Sequence, residues 1–261
     1  RSRAGRSASA ASGHVRRAGG HPIMSDRDDF YIGYEPTMPH SPRRIITVMV
    51  ASVITTAIAM AAFVVSMQTE LADSRFEFGH VRRFTGYLTM APAPVLMVQD
   101  ASGSVPHWLV APGKHGAGKV IDGVRDGWVS LQGTLIARES WRMIEVRPGS
   151  IQTVKSDRSP VQAAFTNARD VVLRGEIVDS KCYLGVMNPG ERAVHRDCAV
   201  RCLAGDVPPM FAFQDAAGSH LALLLMDDAA RLRSDVGRPI TLTGVLAGTE
   251  DALVLRVAAV R

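Results

Sequence analysis

The chain contains one sequence unit twice, and this repeat limits its possible folds more than any other feature. VQDASG at Val98–Gly103 recurs as FQDAAG at Phe213–Gly218. SLQGTLIARESWRMIEV at Ser130–Val146 aligns without a gap on TLTGVLAGTEDALVLRV at Thr241–Val257, so the segments keep the same order in both copies. Self-similarity of this kind indicates one structural unit that the chain uses twice.

Each copy of the repeat predicts five short β-strands with a long connection after the third. Apolar and polar side chains alternate with a period of two, and the D-A-S-G and D-A-A-G turns each close a hairpin. The matched glycines Gly133 and Gly244 fall inside strands, which predicts a bulge or a sharp bend of a curled sheet. Five curled strands are typical of an oligonucleotide/oligosaccharide-binding (OB) barrel. The predicted fold class is mainly β, with two tandem OB-like five-stranded barrels; a small β-sandwich is the alternative.

A long apolar segment precedes the two barrels. Ile45–Met67 has no charged side chain, and at 1.5 Å per residue it is long enough to cross a hydrocarbon core of about 30 Å. We therefore expect one N-terminal transmembrane helix that is retained as an anchor. A cleaved signal peptide is the closest alternative, but its apolar region is normally shorter, about 7 to 15 residues.

The residues that flank the apolar segment predict its orientation. Arg43 and Arg44 lie directly before it, whereas the acidic residues of QTELAD follow Met67. A positive flank favours the cytoplasmic side of a membrane. We expect a single-pass protein of the cytoplasmic (inner) membrane, with the N-terminus inside and the C-terminal domains outside, in the periplasm.

The N-terminal residues carry the net charge of the chain. Residues 1–23 are a low-complexity run of Arg, Ser, Ala and Gly, and the first methionine is Met24, so we expect this run not to be native and all of 1–44 to be a disordered tail. The run contains five arginines and no acidic residue, so the formal net charge of +5 becomes zero without it. Nucleic-acid binding needs a basic face on the folded part. We therefore expect no nucleic acid among the partners.

The predicted organisation has four parts. Residues 1–44 form the tail, 45–67 the transmembrane helix, 80–150 the first OB-like domain and 171–261 the second. The second domain alone has an insertion between its first and second strands, residues 179–209, which holds all three cysteines of the chain. Because the repeated unit folds without this insertion, function or a local covalent staple explains it better than the needs of the barrel.

The insertion predicts a short helix. Asn188, Pro189 and Glu191 are typical of a helix start, with a capping side chain, proline at the first helical position and glutamate at the third. Gly205 is typical of a helix end.

The predicted helix presents metal-binding side chains on one stripe. His195, Cys198 and Cys202 stand at i, i+3 and i+7, and Cys182 precedes the helix at the strand exit. Three cysteines and one histidine are the ligand types of a site for zinc or copper. The candidate metal ligands are therefore Cys182, His195, Cys198 and Cys202.

A disulfide and a thiol redox centre remain alternatives to the metal site. In an oxidising compartment, clustered cysteines are often bridged. Cys198 and Cys202 are poor partners for each other, because helix neighbours keep their Cβ atoms about 5 to 6 Å apart and a disulfide needs roughly 3.5 to 4.5 Å. A disulfide would therefore include Cys182 and leave one thiol beside His195. The C-x-x-C spacing of thiol oxidoreductases is absent from the sequence.

The pattern C-Y-L, then H-x-x-C-A-x-x-x-C, then a turn and Pro-Pro resembles a group of uncharacterised bacterial exported proteins. In that group a similar cysteine and histidine segment is set into an OB-like barrel, and the resemblance covers roughly residues 174 to 257. It implies the fold and the unity of the motif, but it implies no reaction. The residues that carry it here are Cys182, Tyr183, Leu184, His195, Cys198, Ala199, Cys202, Pro208 and Pro209.

These features favour a binding or accessory subunit over an enzyme. The expected partners are the membrane and subunits of a membrane protein complex, and a disulfide-stapled interaction module of a membrane respiratory complex is the alternative function. GKHGAGKV at Gly113–Val120 fits G-x-x-x-x-G-K, but Val120 stands where a phosphate-binding loop needs Ser or Thr. We interpret this segment as the long connection after the third strand.

Overall fold

The computed structural model describes residues 40–68, 73–100, 103–159 and 167–260. Helix α1 spans His40–Ser66 and therefore begins before Ile45, because Pro42 is tolerated in the first turn of a helix. Its segment Pro42–Ser66 is long and apolar enough to cross a membrane. The predicted disordered tail lies, up to residue 39, outside the described residues.

The first barrel is closed by five strands. These strands are β2 (Arg82–Thr89), β3 (Val95–Asp100), β4 (Gly103–Ala111), β6 (Gly127–Arg138) and β7 (Trp141–Val146). Strand β2 pairs with β3 and β6, β3 with β4, and β7 with both β4 and β6; only the β4–β7 pair is parallel. Three short strands add to its edges: β1 (Ser74–Phe76), β5 (His115–Gly116) and β8 (Gln152–Thr153).

The second barrel repeats the same strand order. Its strands are β9 (Arg169–Asp179), β10 (Pro209–Asp215), β11 (Gly218–Leu225), β12 (Pro239–Thr249) and β13 (Ala252–Val260). They close in the order β10-β11-β13-β12-β9, and again only the pair of the third and fifth strands is parallel. A short helix, α3 (Ala229–Asp235), follows the third strand. The prediction of two tandem OB-like five-stranded barrels is confirmed.

The matched turns and glycines act nearly alike in the two copies. Gly103 pairs with Asp100 and Gly218 pairs with Asp215, so both D-x-x-G segments close hairpins as predicted. The predicted bulge is present at Gly244, where the register with β13 shifts. At Gly133 the register is continuous, and glycine is needed for another reason: a Cβ there would lie 2.5 Å from the carbonyl oxygen of Glu145.

Apolar packing joins the two barrels to each other. Each barrel has its own core cluster, around Leu88 and Leu131 in the first and around Phe211 and Leu255 in the second. A third cluster combines buried residues of both copies, so removing either barrel would expose it to water. Its members include Trp108, Ile136, Trp141 and Met143 from the first barrel and Val178, Leu184, Met210 and Leu223 from the second.

The insertion of the second barrel contains two helical segments. A single π-helical turn spans Cys182–Val186, and helix α2 spans Arg192–Ala204. The predicted helix start is displaced, because α2 begins at Arg192 and the side chain of Glu191 makes no capping hydrogen bond. The residues before it serve close packing instead: a Cβ on Gly190 would lie 2.4 Å from the carbonyl oxygen of Cys182.

Candidate metal and thiol centre

The insertion brings its three thiols and its imidazole together beside the barrel. Cys182 opens the π-helical turn directly after β9, and α2 presents the other three side chains from one stripe, as the spacing predicts. The Sγ atoms of Cys182 and Cys202 are 4.0 Å apart. His195 and Cys202 are buried, whereas Cys198 is half-buried. The cluster therefore lies at the boundary between the core and solvent.

The possible ligand atoms form two overlapping groups. One group joins Cys182, His195 and Cys198, and the other joins Asp179, Cys182 and Cys202. Within each group the ligand atoms all lie within 4.8 Å of one another. Cys182 belongs to both groups and is the centre of the cluster.

Asp179 is a member of this site that sequence reasoning missed. It is fully buried at the end of β9, and both of its carboxylate oxygens have partners. Oδ1 accepts a hydrogen bond of 2.9 Å from the backbone N–H of Cys182, and Oδ2 lies 2.9 Å from Nε2 of His195. The carboxylate thereby orients both the turn and the imidazole. The sequence feature that indicates its role is its position three residues before the first cysteine, in DSKCYL.

A lysine from the first barrel completes the cluster. Lys114 Nζ donates to Sγ of Cys198 at 2.7 Å and lies 3.9 Å from Sγ of Cys202. The hydrogen bond to Cys198 raises the pKa of the Lys114 ammonium group above its usual value, which favours the charged form. Lys114 belongs to the GKHGAGKV segment that resembled a phosphate-binding loop. In the structure, that segment instead places the ammonium group of Lys114 beside the thiols.

A second lysine holds the loop that carries Lys114. Buried Lys181 donates through Nζ to the carbonyl oxygens of Ala111 at 2.8 Å and Gly113 at 2.6 Å. The same Nζ pairs with Oε2 of Glu145 at 2.5 Å. Buried charges are stable only when they are paired and hydrogen-bonded, and here all three partners belong to the first barrel.

Two glycines allow the loop and the end of α2 to touch. The N–H of Gly116 donates to the carbonyl oxygen of Gly205 at 2.8 Å. A Cβ on Gly116 would lie 2.0 Å from the carbonyl oxygen of Asp206, and one on Gly205 would lie 1.9 Å from that of Lys114. Gly205 ends α2, as predicted, but close contact between the barrels also requires it.

The surroundings of Cys182 and Cys202 shift the pKa values of these two thiols in opposite directions. The hydrogen bond to Cys202, burial and the nearby charge of Asp179 raise the pKa of the Cys182 thiol. The hydrogen bond from Cys182, and after it the charge of Lys114, lower the pKa of Cys202. These opposite shifts favour the thiolate form at Cys202 over the thiolate form at Cys182.

All three cysteines are free in this structure. A disulfide has an S–S bond of about 2.03 to 2.05 Å, and the Sγ atoms of Cys182 and Cys202 are 4.0 Å apart. The sequence nonetheless indicates that a disulfide, where one forms, would join Cys182 to a cysteine of α2. Chemically, the cluster offers soft sulfur ligands, one imidazole and an adjacent cation.

No protein-family model matches this chain, and no curated protein matches it. Among solved structures, a deletion mutant of the single-stranded DNA-binding protein from Thermus aquaticus is similar to it at 12% identity. The similarity covers 73% of this chain and 87% of that chain, with a TM-score of 0.20. At that TM-score the likeness carries no argument about the ligand of this chain.

The expectation that excluded nucleic acid from the partners is wrong as stated. The solved protein named above is a single-stranded DNA-binding protein, and the exclusion is withdrawn because its premise fails on the structure of this chain. The exclusion rested on net charge alone, and net charge averages over the whole surface. Local basic clusters persist at a net charge of zero: Arg138, Arg174 and Arg192 line one cavity.

Proposed function

We propose that this protein is a membrane-anchored, exported metal-binding protein. Its second barrel holds one zinc or copper ion through Cys182, His195, Cys198 and Cys202, and the protein acts as a binding or accessory protein rather than an enzyme. The observation that carries the proposal is the position of Cys182 within 4.8 Å of His195 and Cys198 in one group of ligand atoms, and within 4.8 Å of Cys202 and Asp179 in the other.

The spacing of the ligand atoms supports a single small ion. Tetrahedral zinc with Zn–S bonds of about 2.3 Å separates its sulfur ligands by roughly 3.8 Å. The Sγ atoms of Cys182 and Cys202 are already 4.0 Å apart. Thiolate and imidazole ligands suit zinc and copper, whereas magnesium and calcium prefer oxygen.

The surroundings of the ligands support the same proposal. A metal-bound histidine usually has its other ring nitrogen held by a carboxylate. Asp179 lies 2.9 Å from Nε2 of His195, so Nδ1 is the ring nitrogen left for a metal ion. Three thiolates, one neutral imidazole and a divalent ion carry a net charge of −1. The ammonium group of Lys114, 2.7 Å from Cys198, offsets that charge.

In this proposal, the orientation of helix α1 determines on which side of the membrane the site lies. Helix α1 is long and apolar enough to cross a membrane, and Arg43 and Arg44 directly precede its apolar segment. With those arginines on the cytoplasmic side, both barrels and the metal lie outside the inner membrane.

Metal analysis of the full-length chain tests the proposal. The protein is purified in a neutral detergent under reducing conditions, and bound zinc and copper are measured for the parent, for His195→Ala and for Cys198→Ser. We expect about one metal ion per chain in the parent and a large loss in both variants, because every ligand serves the same binding event.

His220→Ala is the matched control. His220 also pairs with an aspartate, its Nε2 lying 2.8 Å from Oδ1 of Asp215, but it lies outside both ligand groups. This variant should retain its metal. A parent protein without metal, whose melting temperature is unchanged by His195→Ala, would overturn the proposal. One free thiol per chain in a second preparation, made without reductant, would then establish the disulfide staple.

A further inference from the structure

A cavity lies beside the second barrel, apart from the thiol cluster. Its volume is about 400 Å³, and it is formed by strands β9 to β12, by the insertion and by one arginine of the first barrel. Cavities of roughly 300 to 1,000 Å³ are the size that small-molecule ligands occupy. The residues that line it and matter here are Arg138, Arg174, Glu176, Tyr183, Glu191 and Arg192.

Arg138 reaches this cavity from the first barrel and is held in place. Its Nη1 donates to the carbonyl oxygen of Tyr183 at 3.0 Å, and its Cζ lies 3.8 Å from the centre of the Tyr183 ring. Its Nη2 lies 3.6 Å from Oε2 of Glu191. Its Nε is buried and has no hydrogen-bond partner among the described residues. A buried donor without a partner is costly, so an acceptor at this position would be favourable.

The other two arginines of the cavity are exposed and have unused donors. Among the residues that the structure describes, the guanidinium groups of Arg174 and Arg192 take part in no hydrogen bond or ion pair. A guanidinium group offers five N–H donors in a planar fork that fits carboxylate and phosphate groups. The cavity therefore contains more donors than its own acceptors use.

The two carboxyl groups of the cavity do not cancel this excess. Glu191 pairs with Arg138, and Oε1 of Glu176 accepts a hydrogen bond of 2.5 Å from the backbone N–H of Arg192. Burial raises the pKa of Glu176, which favours its neutral form. The lining is positively charged overall, because three guanidinium groups face at most two carboxylates.

We propose that this cavity binds a small organic anion with two acidic groups, which accept hydrogen bonds from Arg138, Arg174 and Arg192. Carboxylates and phosphates share the required chemistry, since both present planar or fork-like pairs of charged oxygens. The proposal rests on the cavity alone and does not depend on a bound metal.

Calorimetric titration of the full-length chain in neutral detergent tests the proposal. The probes are succinate and inorganic pyrophosphate at constant ionic strength, so that one arm carries two carboxylates and the other two phosphates. We expect saturable binding of at least one probe. Arg174→Gln and Arg192→Gln should each weaken that binding about tenfold, as the loss of a hydrogen bond to a charged group does.

Arg233→Gln is the control for net charge. Arg233 is exposed on α3, outside the cavity, and its replacement removes the same charge. The affinity of the Arg233→Gln variant for the probe should stay within about twofold of that of the parent. Binding of succinate alone identifies dicarboxylates as the ligand class, and binding of pyrophosphate alone identifies phosphate esters. Absence of both at about 10 mM, or equal weakening by all three variants, overturns the proposal.

Discussion

Lys114 and Cys198 lie in different copies of the repeat, yet Nζ of Lys114 is 2.7 Å from Sγ of Cys198. The first barrel has no cysteine, but it supplies the cation that the thiols of the second barrel face. The candidate site is therefore assembled from both copies. The first barrel therefore contributes a positive charge to the site.

Replacing Lys114 should change the charge state of the thiols. Lys114→Met removes the ammonium group that lies 3.9 Å from Sγ of Cys202 and helps to lower its pKa. We expect the pKa of Cys202 in the reduced, metal-free protein to rise, as measured by the ultraviolet absorbance of thiolate against pH. Lys119→Met, an exposed lysine of the same loop, is the control. Identical titrations of the two variants would contradict the role of Lys114.

Replacing Lys181 should destabilise the unit formed by the two barrels. Lys181→Met removes the donor to the carbonyl oxygens of Ala111 and Gly113 and leaves Glu145 without its partner. Breaking a buried ion pair typically costs about 3 to 5 kcal/mol. Chemical denaturation should show a loss of that size. Lys155→Met, at an exposed position, should change the free energy of unfolding by at most about 0.5 kcal/mol; equal effects would refute the assignment.

Replacing Asp179 should weaken metal binding without removing a thiol or the imidazole. Asp179→Asn keeps an oxygen for the backbone N–H of Cys182 but removes the charge beside His195. Loss of such a partner typically lowers metal affinity about 10- to 100-fold. Competition with a metal chelator measures the change. Asp215→Asn, which alters the matching contact to His220, should leave the affinity unchanged.

Glu176 should make stability depend on pH. Burial raises its folded-state pKa above the usual 4.5, so the folded chain binds the proton more tightly than the unfolded chain. Its stabilising contribution is complete below the unfolded pKa and is lost as the pH rises through the folded pKa. Glu176→Gln cannot ionise and still accepts from the N–H of Arg192. Its melting temperature should exceed that of the parent by more at pH 7 than at pH 4; an equal difference at both would contradict this.

The charged residues at the start of α1 predict the orientation of the chain in the membrane. Arg43 and Arg44 precede the apolar segment, and positive residues favour the cytoplasmic side. Alkaline phosphatase fused to the C-terminus should therefore be active in a bacterial host, because that enzyme folds only outside the cytoplasm. Glutamate at both positions should lower the activity. An inactive fusion combined with a fluorescent cytoplasmic reporter at the same point would reverse the orientation.

The periodic parts of the structure follow from local sequence patterns. Two-residue alternation and the D-x-x-G turns predicted the strands, and the repeat predicted their duplication. The predicted helix start is displaced, since Asn188, Pro189 and Glu191 are assigned by local preference, and α2 begins at Arg192. In the fold, Gly190 is needed where the chain passes the backbone of Cys182.

For the candidate site, sequence alone determined which side chains share one helix stripe. His195, Cys198 and Cys202 are close because helical geometry is local and depends only on spacing. Tertiary structure decided the contacts between residues that are far apart in the sequence. Lys114 and Cys198 are 84 positions apart, and Lys181 acquires its partners only when the barrels pack through Trp108, Met143, Leu184 and their neighbours. No short-range pattern encodes those contacts, because they result from apolar packing between two separately patterned units.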